Sequence, residues 1–284
     1  MIGVSMKKFL TKKILLGGLV LFIAACSAIQ NLNIFPVEQD VALGSEFALQ
    51  LQNSPKDYPV YNNSTLKNYI NQNIFQPILK SPDVLYKNVF KYNLEIIKND
   101  TILNAFAVPG GPVYVYTGLL KYLDSEAALA GVLGHEIAHA ERRHATKRIT
   151  KQYGIQMVQG LVLGENPSQI ASIAGNLLSG LTLLANSRAD EDESDQVSMK
   201  YLQATKFYPG AVKFFFEKMR DDGKVEKGGQ GLAQFLSTHP DPIERIASVD
   251  QRLKAAGLEV KTYKATGAGI FKDEYKKNIL NQLK

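Results

Sequence analysis

Histidine and cysteine are scarce in this chain: 284 residues hold four His, one Cys and no Trp. A single cysteine excludes an internal disulfide framework. No apolar run reaches the roughly 18–20 residues that a permanent membrane-spanning helix requires. There is no internal repeat and no low-complexity tract, which excludes a repeat architecture. The positive charge is also thinner than its formal +6 suggests. Without Lys7, Lys8, Lys12 and Lys13, which precede an apolar run, 29 basic residues face 27 acidic ones. That balance gives no reason to expect a nucleic-acid partner. What is present is ordinary for a globular protein: 45% hydrophobic and 21% charged residues, with Tyr and Phe plentiful and enough length to bury a core.

The four lysines and the apolar run Ile14–Ala25 have the layout of a signal peptide. The run ends in "IAAC", and Cys26 after two small residues resembles a bacterial lipobox, whose thiol is diacylated and becomes the first residue of the mature chain. Two acyl chains anchor a protein stably without a spanning helix. The expected layout is therefore a signal peptide over 1–25, a lipid-anchored tether over 26–36, a main domain over 37–257 and a C-terminal extension over 258–284. Ser27 after the cysteine, with no Asp there, favours the outer membrane if the cell has two.

Along the mature chain the apolar spacing predicts helices over "PVEQDVALGSEFALQLQNS" and "NSTLKNYINQNIFQPIL". "KYNLEIIK" leans to strand, and "LNAFAVPGGPVYVYTG" reads as two short strands about a Pro-Gly-Gly turn. Asp124 to Arg148 reads as one helix, capped by Asp124 or Ser125. Beyond the "GENPSQ" break, Ile170, Ile173, Ala174, Leu177, Leu178, Leu181 and Leu184 form a helical stripe that runs on into "SRADEDESDQVSMKYLQAT". Further helices are expected in "PGAVKFFFEKMRDD" and "DPIERIASVDQRLKAAG", and "LEVKTYK" and "GIFKDEYKKNILNQL" read as a strand and a last helix. Mostly helix with a small β element makes the class α+β.

Three of the four histidines lie in "GHEIAHAERRH". His135, Glu136 and His139 fit H-E-x-x-H within the expected helix. Residues four apart stand one above the other, about 6 Å along the axis, so both imidazoles can converge on one ion. Glu136 sits about 100° around the helix, free to act as a general base without binding the metal. The surrounding Ala130, Val132, Leu133, Ile137, Ala138 and Ala140 predict a buried helix, where His and Glu without a metal would be costly. Zinc needs a third protein ligand. The local extension that would supply a third His is absent, because Glu141 and Ala145 stand at the required positions. A downstream carboxylate must serve, and Glu191 continues the apolar stripe. Asp195, one turn on, is expected to orient a ligand imidazole. Glu193 points away, and His144 reads as a residue of the helix surface or one standing behind a ligand, not as a ligand itself. His239, in "STHPDPIER", is expected to reach the site, either to stabilise the oxyanion or to occupy the open metal position at rest.

Together, "HEIAH", "SRADEDESD" and "THPDPIER" resemble the zinc metallopeptidases related to the CAAX prenyl proteases, which include HtpX, Oma and BepA. "NAFAVPGGPVYVYTGLL" and "VEQDVALG" resemble that family too, so the likeness covers about Val37 to Gly257. It implies a zincin-type domain with one zinc on His135, His139 and Glu191, and Glu136 as the catalytic residue. Where that family usually has Ala, this chain has Ser194. The resemblance also places "NAFAV" beside the cleft as a sheet edge, making Asn104, Ala105 and Phe106 candidate substrate contacts, with a place in the core as the alternative for Phe106; an edge strand has unpaired backbone groups that can hold an extended peptide. The expected activity is peptide hydrolysis on unfolded envelope polypeptides. The rival expectation is an envelope chaperone or scaffold with a latched, silent zinc site.

Overall fold

The structure, a computed structural model, describes residues 33–154, 167–180, 186–225 and 232–283. The expected signal peptide, Cys26, and Leu181 and Leu184 of the stripe lie outside them.

The fold is α+β. Helix α1 (Val37–Gln52) is followed by α2 (Ser64–Ile70), which continues through a π-helical turn (Asn71–Phe75) into α3 (Gln76–Leu79). Strands β1 (Leu94–Ile97), β2 (Ala105–Ala107) and β3 (Val113–Tyr116) form one sheet in the order β1-β3-β2. β1 runs parallel to β3, and β2 antiparallel to it. After α4 (Thr117–Tyr122) come the two helices that carry the site, α5 (Glu126–Glu141) and, beyond α6 (His144–Tyr153) and α7 (Pro167–Gly180), α8 (Arg188–Gln203). A 3-10 turn (Pro209–Lys213) leads into α9 (Phe214–Asp221), then α10 (Ala233–Thr238), α11 (Pro242–Ala255) and α12 (Lys272–Asn278). No helix of the described residues is long and apolar enough to cross a membrane.

Side chains on a strand alternate between its faces, and β3 shows it. Val113 and Val115 join the larger core, with Leu129 and Leu133 of α5, while Tyr114 and Tyr116 join a second cluster under Phe47 of α1. α1 is held close to the β2–β3 turn. A Cβ at Gly44 would collide with the carbonyl of Pro109, and one at Gly110, whose φ is +77°, would lie 2.6 Å from the backbone of Val41. Only glycine fits both positions.

Every residue of α5 is buried, and its start is capped by Ser125, whose hydroxyl accepts from the Ala128 N–H at 3.2 Å. The single helix expected to Arg148 is broken. Arg143 takes a left-handed backbone (φ 57°, ψ 36°) between α5 and α6. Local composition gives no reason for a break; tertiary contacts do. The Arg143 guanidinium pairs with buried Asp40 of α1 and donates to the Phe35 carbonyl, offsetting a strain of roughly 1–3 kcal/mol.

The strand expected in "LEVKTYK" does not form. Side chains take up part of its backbone instead: Tyr208 donates to the Glu259 carbonyl at 2.8 Å and accepts from the Lys261 N–H at 2.9 Å, and the Tyr263 N–H donates to Glu217 at 2.8 Å. The rest of segment 258–283 packs into the main core through Ile270, Tyr275, Ile279 and Leu283. Tyr275 donates to the Leu120 carbonyl at 2.7 Å.

Candidate metal centre

His135 and His139 stand one turn apart on α5, and their Nε2 atoms are 2.8 Å apart. α8 starts with a capping box between Ser187 and Asp190, and it packs against α5 so that Glu191 faces both imidazoles. Glu191 Oε1 is 3.1 Å from His139 Nε2, and Oε2 is 3.3 Å from His135 Nε2. His239, following α10, points Nδ1 at Glu191 Oε1 (3.1 Å) and Nε2 towards Glu136 Oε1 (3.6 Å). Phe235 stacks on the His239 ring, with centroids 4.8 Å apart. His135, His139, Glu191 and His239 are all buried, and each offers one ligand atom within 4.8 Å of the others. Three imidazoles and a carboxylate aimed at one point are a donor set that fits zinc or a similar transition metal.

The charges around this point are strongly coupled. Burial alone would raise the Glu191 carboxyl, but His239, Arg245, His139 and His135 outweigh it and hold it well below the usual range. Burial, with His135, drives His139 well below its ordinary value. Burial and Arg245 pull His135 down, yet Glu191 and Asp195 hold it up at about 9.

Glu136 is buried beside the cluster. The Ala107 N–H of β2 donates to its Oε2 at 3.0 Å. Burial pushes its carboxyl up, against the pull of His239 and His135. β2 is one edge of the sheet. Val108 and Asn104 are bonded to Pro112 and Tyr116 across the hairpin. By alternation, Phe106 is then the bonded partner of Tyr114, and the backbone groups of Ala105 and Ala107 face away from β3. The Asn104 amide is fully buried, and neither its nitrogen nor its oxygen has a partner among the described residues. Phe106 does not join Asn104 and Ala105 at this edge. Its ring stacks on Tyr114 at 5.0 Å and meets Phe47 at 6.0 Å, so it is committed to the second core cluster.

Asp195 Oδ1 lies 2.9 Å from His135 Nδ1, the ring atom opposite the cluster. Arg245, on the first turns of α11, grips Asp195 with both arms, Nε to Oδ2 at 2.7 Å and Nη2 to Oδ1 at 2.6 Å, and its Nη1 pairs with Glu191. The guanidinium lies 4.2 Å over the Phe216 ring. Arg245 is absent from the residues expected from sequence. Its signal was there: two buried acids one turn apart need a buried cation, and "HPDPIER" carries one six residues after His239.

Of the two places expected for His144, the structure shows the one behind His139 and not the helix surface. Only 1% exposed, His144 has Nδ1 2.8 Å from His139 Nδ1 and Nε2 3.1 Å from Glu193 Oε2. The break at Arg143, which a continuous helix would lack, aims it inward. Glu193 does lie on the outer side of α8, 42% exposed, yet it reaches this histidine.

The family model for Peptidase family M48 matches residues 67–253 of the chain. The mitochondrial metalloendopeptidase OMA1 of Schizosaccharomyces pombe is 33% identical over 172 residues, covering 61% of this chain and 50% of that protein. Its counterpart in Arabidopsis thaliana is 37% identical over 153 residues, 53% of this chain and 29% of the relative. The beta-barrel assembly-enhancing protease of Escherichia coli is 28% identical over 225 residues, 76% of this chain and 44% of the relative. The chain thus spans half or less of the length of these relatives.

Proposed function

The chain belongs to peptidase family M48, and from that premise we propose that it is a zinc-dependent endopeptidase, anchored to the cell envelope through Cys26 and acting on unfolded envelope polypeptides. The observation that carries this reading is Glu136, aligned by the Ala107 N–H of an edge strand (3.0 Å) and set beside a buried three-His, one-Glu donor set.

His135, His139 and Glu191 hold the zinc in this reading, with Asp195 orienting His135 by accepting its Nδ1–H. Zinc bound there polarises a carbonyl and makes water acidic near neutral pH. Glu136 takes the proton of the attacking water and passes it to the leaving amine. The Ala107 N–H keeps one carboxylate oxygen fixed and leaves the other for the proton. An extended substrate aligns along β2 on the free backbone groups of Ala105, with the Asn104 amide beside it to meet a substrate peptide group. His239 stands between Glu136 and Glu191, so we assign it as a latch that withdraws when substrate enters.

That position of His239 also favours a second reading, a chaperone or scaffold whose zinc site stays shut. Incubation of the purified protein with an unfolded outer-membrane polypeptide, with and without a chelator, separates the two. Cleavage that a chelator abolishes supports the peptidase. Suppressed aggregation with no cleavage supports the chaperone.

A further inference from the structure

His135 and His139 are supported differently. His135 leans directly on a carboxylate, Asp195. His139 leans on a second imidazole, and the hydrogens of that contact can be worked out. Two Nδ1 atoms 2.8 Å apart attract each other only if one carries a hydrogen and the other a lone pair. The Nε2 of His144 faces the Glu193 carboxylate at 3.1 Å, with Asp190 Oδ1 at 3.6 Å, so Nε2 carries the hydrogen. The Nδ1 of His144 is then an acceptor. His139 must donate from Nδ1, which leaves its Nε2 bare on the side where Glu191 and His135 converge. Ser194 Oγ, 3.1 Å from His139 Nδ1 and 3.5 Å from His144 Nδ1, accepts a share of the same hydrogen.

We propose that His144, backed by Glu193, is a positioning residue that fixes the tautomer and ring orientation in which His139 presents Nε2 to the metal. The relay runs from a partly exposed carboxylate through a buried imidazole to a metal ligand. It rests on the reading of His139 as a zinc ligand. Residues that orient ligands in this way are worth about 10–100-fold in metal affinity. His144 touches neither substrate nor metal.

The test is zinc affinity, measured on the full chain by competition with a chromophoric chelator, alongside thermal unfolding of the zinc-free protein. His144→Leu is expected to weaken zinc binding about 10–100-fold with the zinc-free melting temperature little changed. His144→Asn, whose side-chain oxygen can accept where Nδ1 does, is expected to stay within about threefold of wild type. Glu193→Ala is expected to fall between them, and Ser194→Ala to have the smallest effect. Unchanged affinity in His144→Leu, or equal losses in Leu and Asn variants that both fold, would overturn the proposal. If His144→Leu does not fold, Glu193→Ala decides, and an unchanged zinc affinity there overturns it. A wild type that binds no zinc overturns the metal reading itself, whereas zinc-binding wild type with indifferent variants overturns only the role of His144.

Discussion

Helices α5 and α8 bring the site's side chains together by opposite means. α5 is buried on every side and carries its His-Glu-His set as polar residues embedded in apolar packing. It approaches its neighbours so closely that a Cβ at Gly131 would lie 2.5 Å from the backbone of Ala211, and one at Gly134 would lie 2.7 Å from Ser198 Oγ. α8 is polar, and although Val197, Met199, Tyr201 and Leu202 in its second half join the core, the turns that face the centre are held by charge: Arg245 binds Asp195 and Glu191, and half-exposed Asp192 pairs with Arg252. One side of the centre is therefore fixed by shape and the other by compensation of charge. Changes of volume should damage the first, and changes of charge the second.

The largest effect expected leaves both supports intact and removes only the chemistry between them. Glu136→Gln should retain metal and lower peptide cleavage by about 10²–10⁴-fold, measured as initial rates on an unfolded polypeptide. Full activity in that variant would sink the role of Glu136.

Next comes the charged side. Arg245→Met keeps bulk over Phe216 but leaves Glu191 and Asp195 without their buried counter-charge. Removing one partner of such a set costs about 3–5 kcal/mol. Denaturant unfolding should show this loss in the metal-free protein and a smaller one when zinc is bound, because zinc supplies part of the missing charge. Equal losses with and without zinc would break the comparison.

Asp40 is the point where the packed side also depends on charge. Burial pushes its carboxyl up to about 6, from an ordinary 3.8, against the pull of Arg143. A carboxyl whose pKa is higher folded than unfolded favours the fold most when protonated. Its contribution is complete below about pH 4 and is lost as the pH rises through about 6, an effect of about 3 kcal/mol. The stability of wild type relative to Asp40→Asn should fall over that window in parallel unfolding curves. A flat difference would show that Arg143 fully compensates the buried charge.

How much of this was readable beforehand follows the same division. His135, Glu136 and His139 were legible because metal chemistry fixes both residue type and spacing, and the apolar flanks announced a buried helix. Glu191 and Asp195 followed from the need for a third ligand and from a stripe of helical period. The β2–β3 hairpin was written in its Pro-Gly-Gly turn. The inward turn of His144 and the break at Arg143 depend on contacts between segments about fifty to more than a hundred residues apart, and no local pattern encodes them; Arg245 had a signal, but only in two distant segments taken together. "AERRHATKR" is made of good helix formers, and it is Asp40 and Phe35 that turn it. Phe106 was legible as an edge residue or a core residue in nearly equal measure, and the choice depends on where α1 packs. "LEVKTYK" has the composition of a strand, but Tyr208 and Glu217 take up part of its backbone in place of a neighbouring strand.

The smallest effects sharpen the packed side. Gly131→Ala meets backbone that cannot yield, and should cost about 1–3 kcal/mol in denaturant unfolding. Gly134→Ala meets only the Ser198 hydroxyl, which can rotate, and should cost less. The reverse order would mean that α5 is not held by shape.

The central claim is that Glu191, read from a run that looks like surface charge, closes a zinc site with His135 and His139. Metal analysis of purified Glu191→Ala beside wild type tests it most directly. The account predicts about one zinc per chain in wild type and almost none in a variant that remains folded. Equal zinc in both would contradict it.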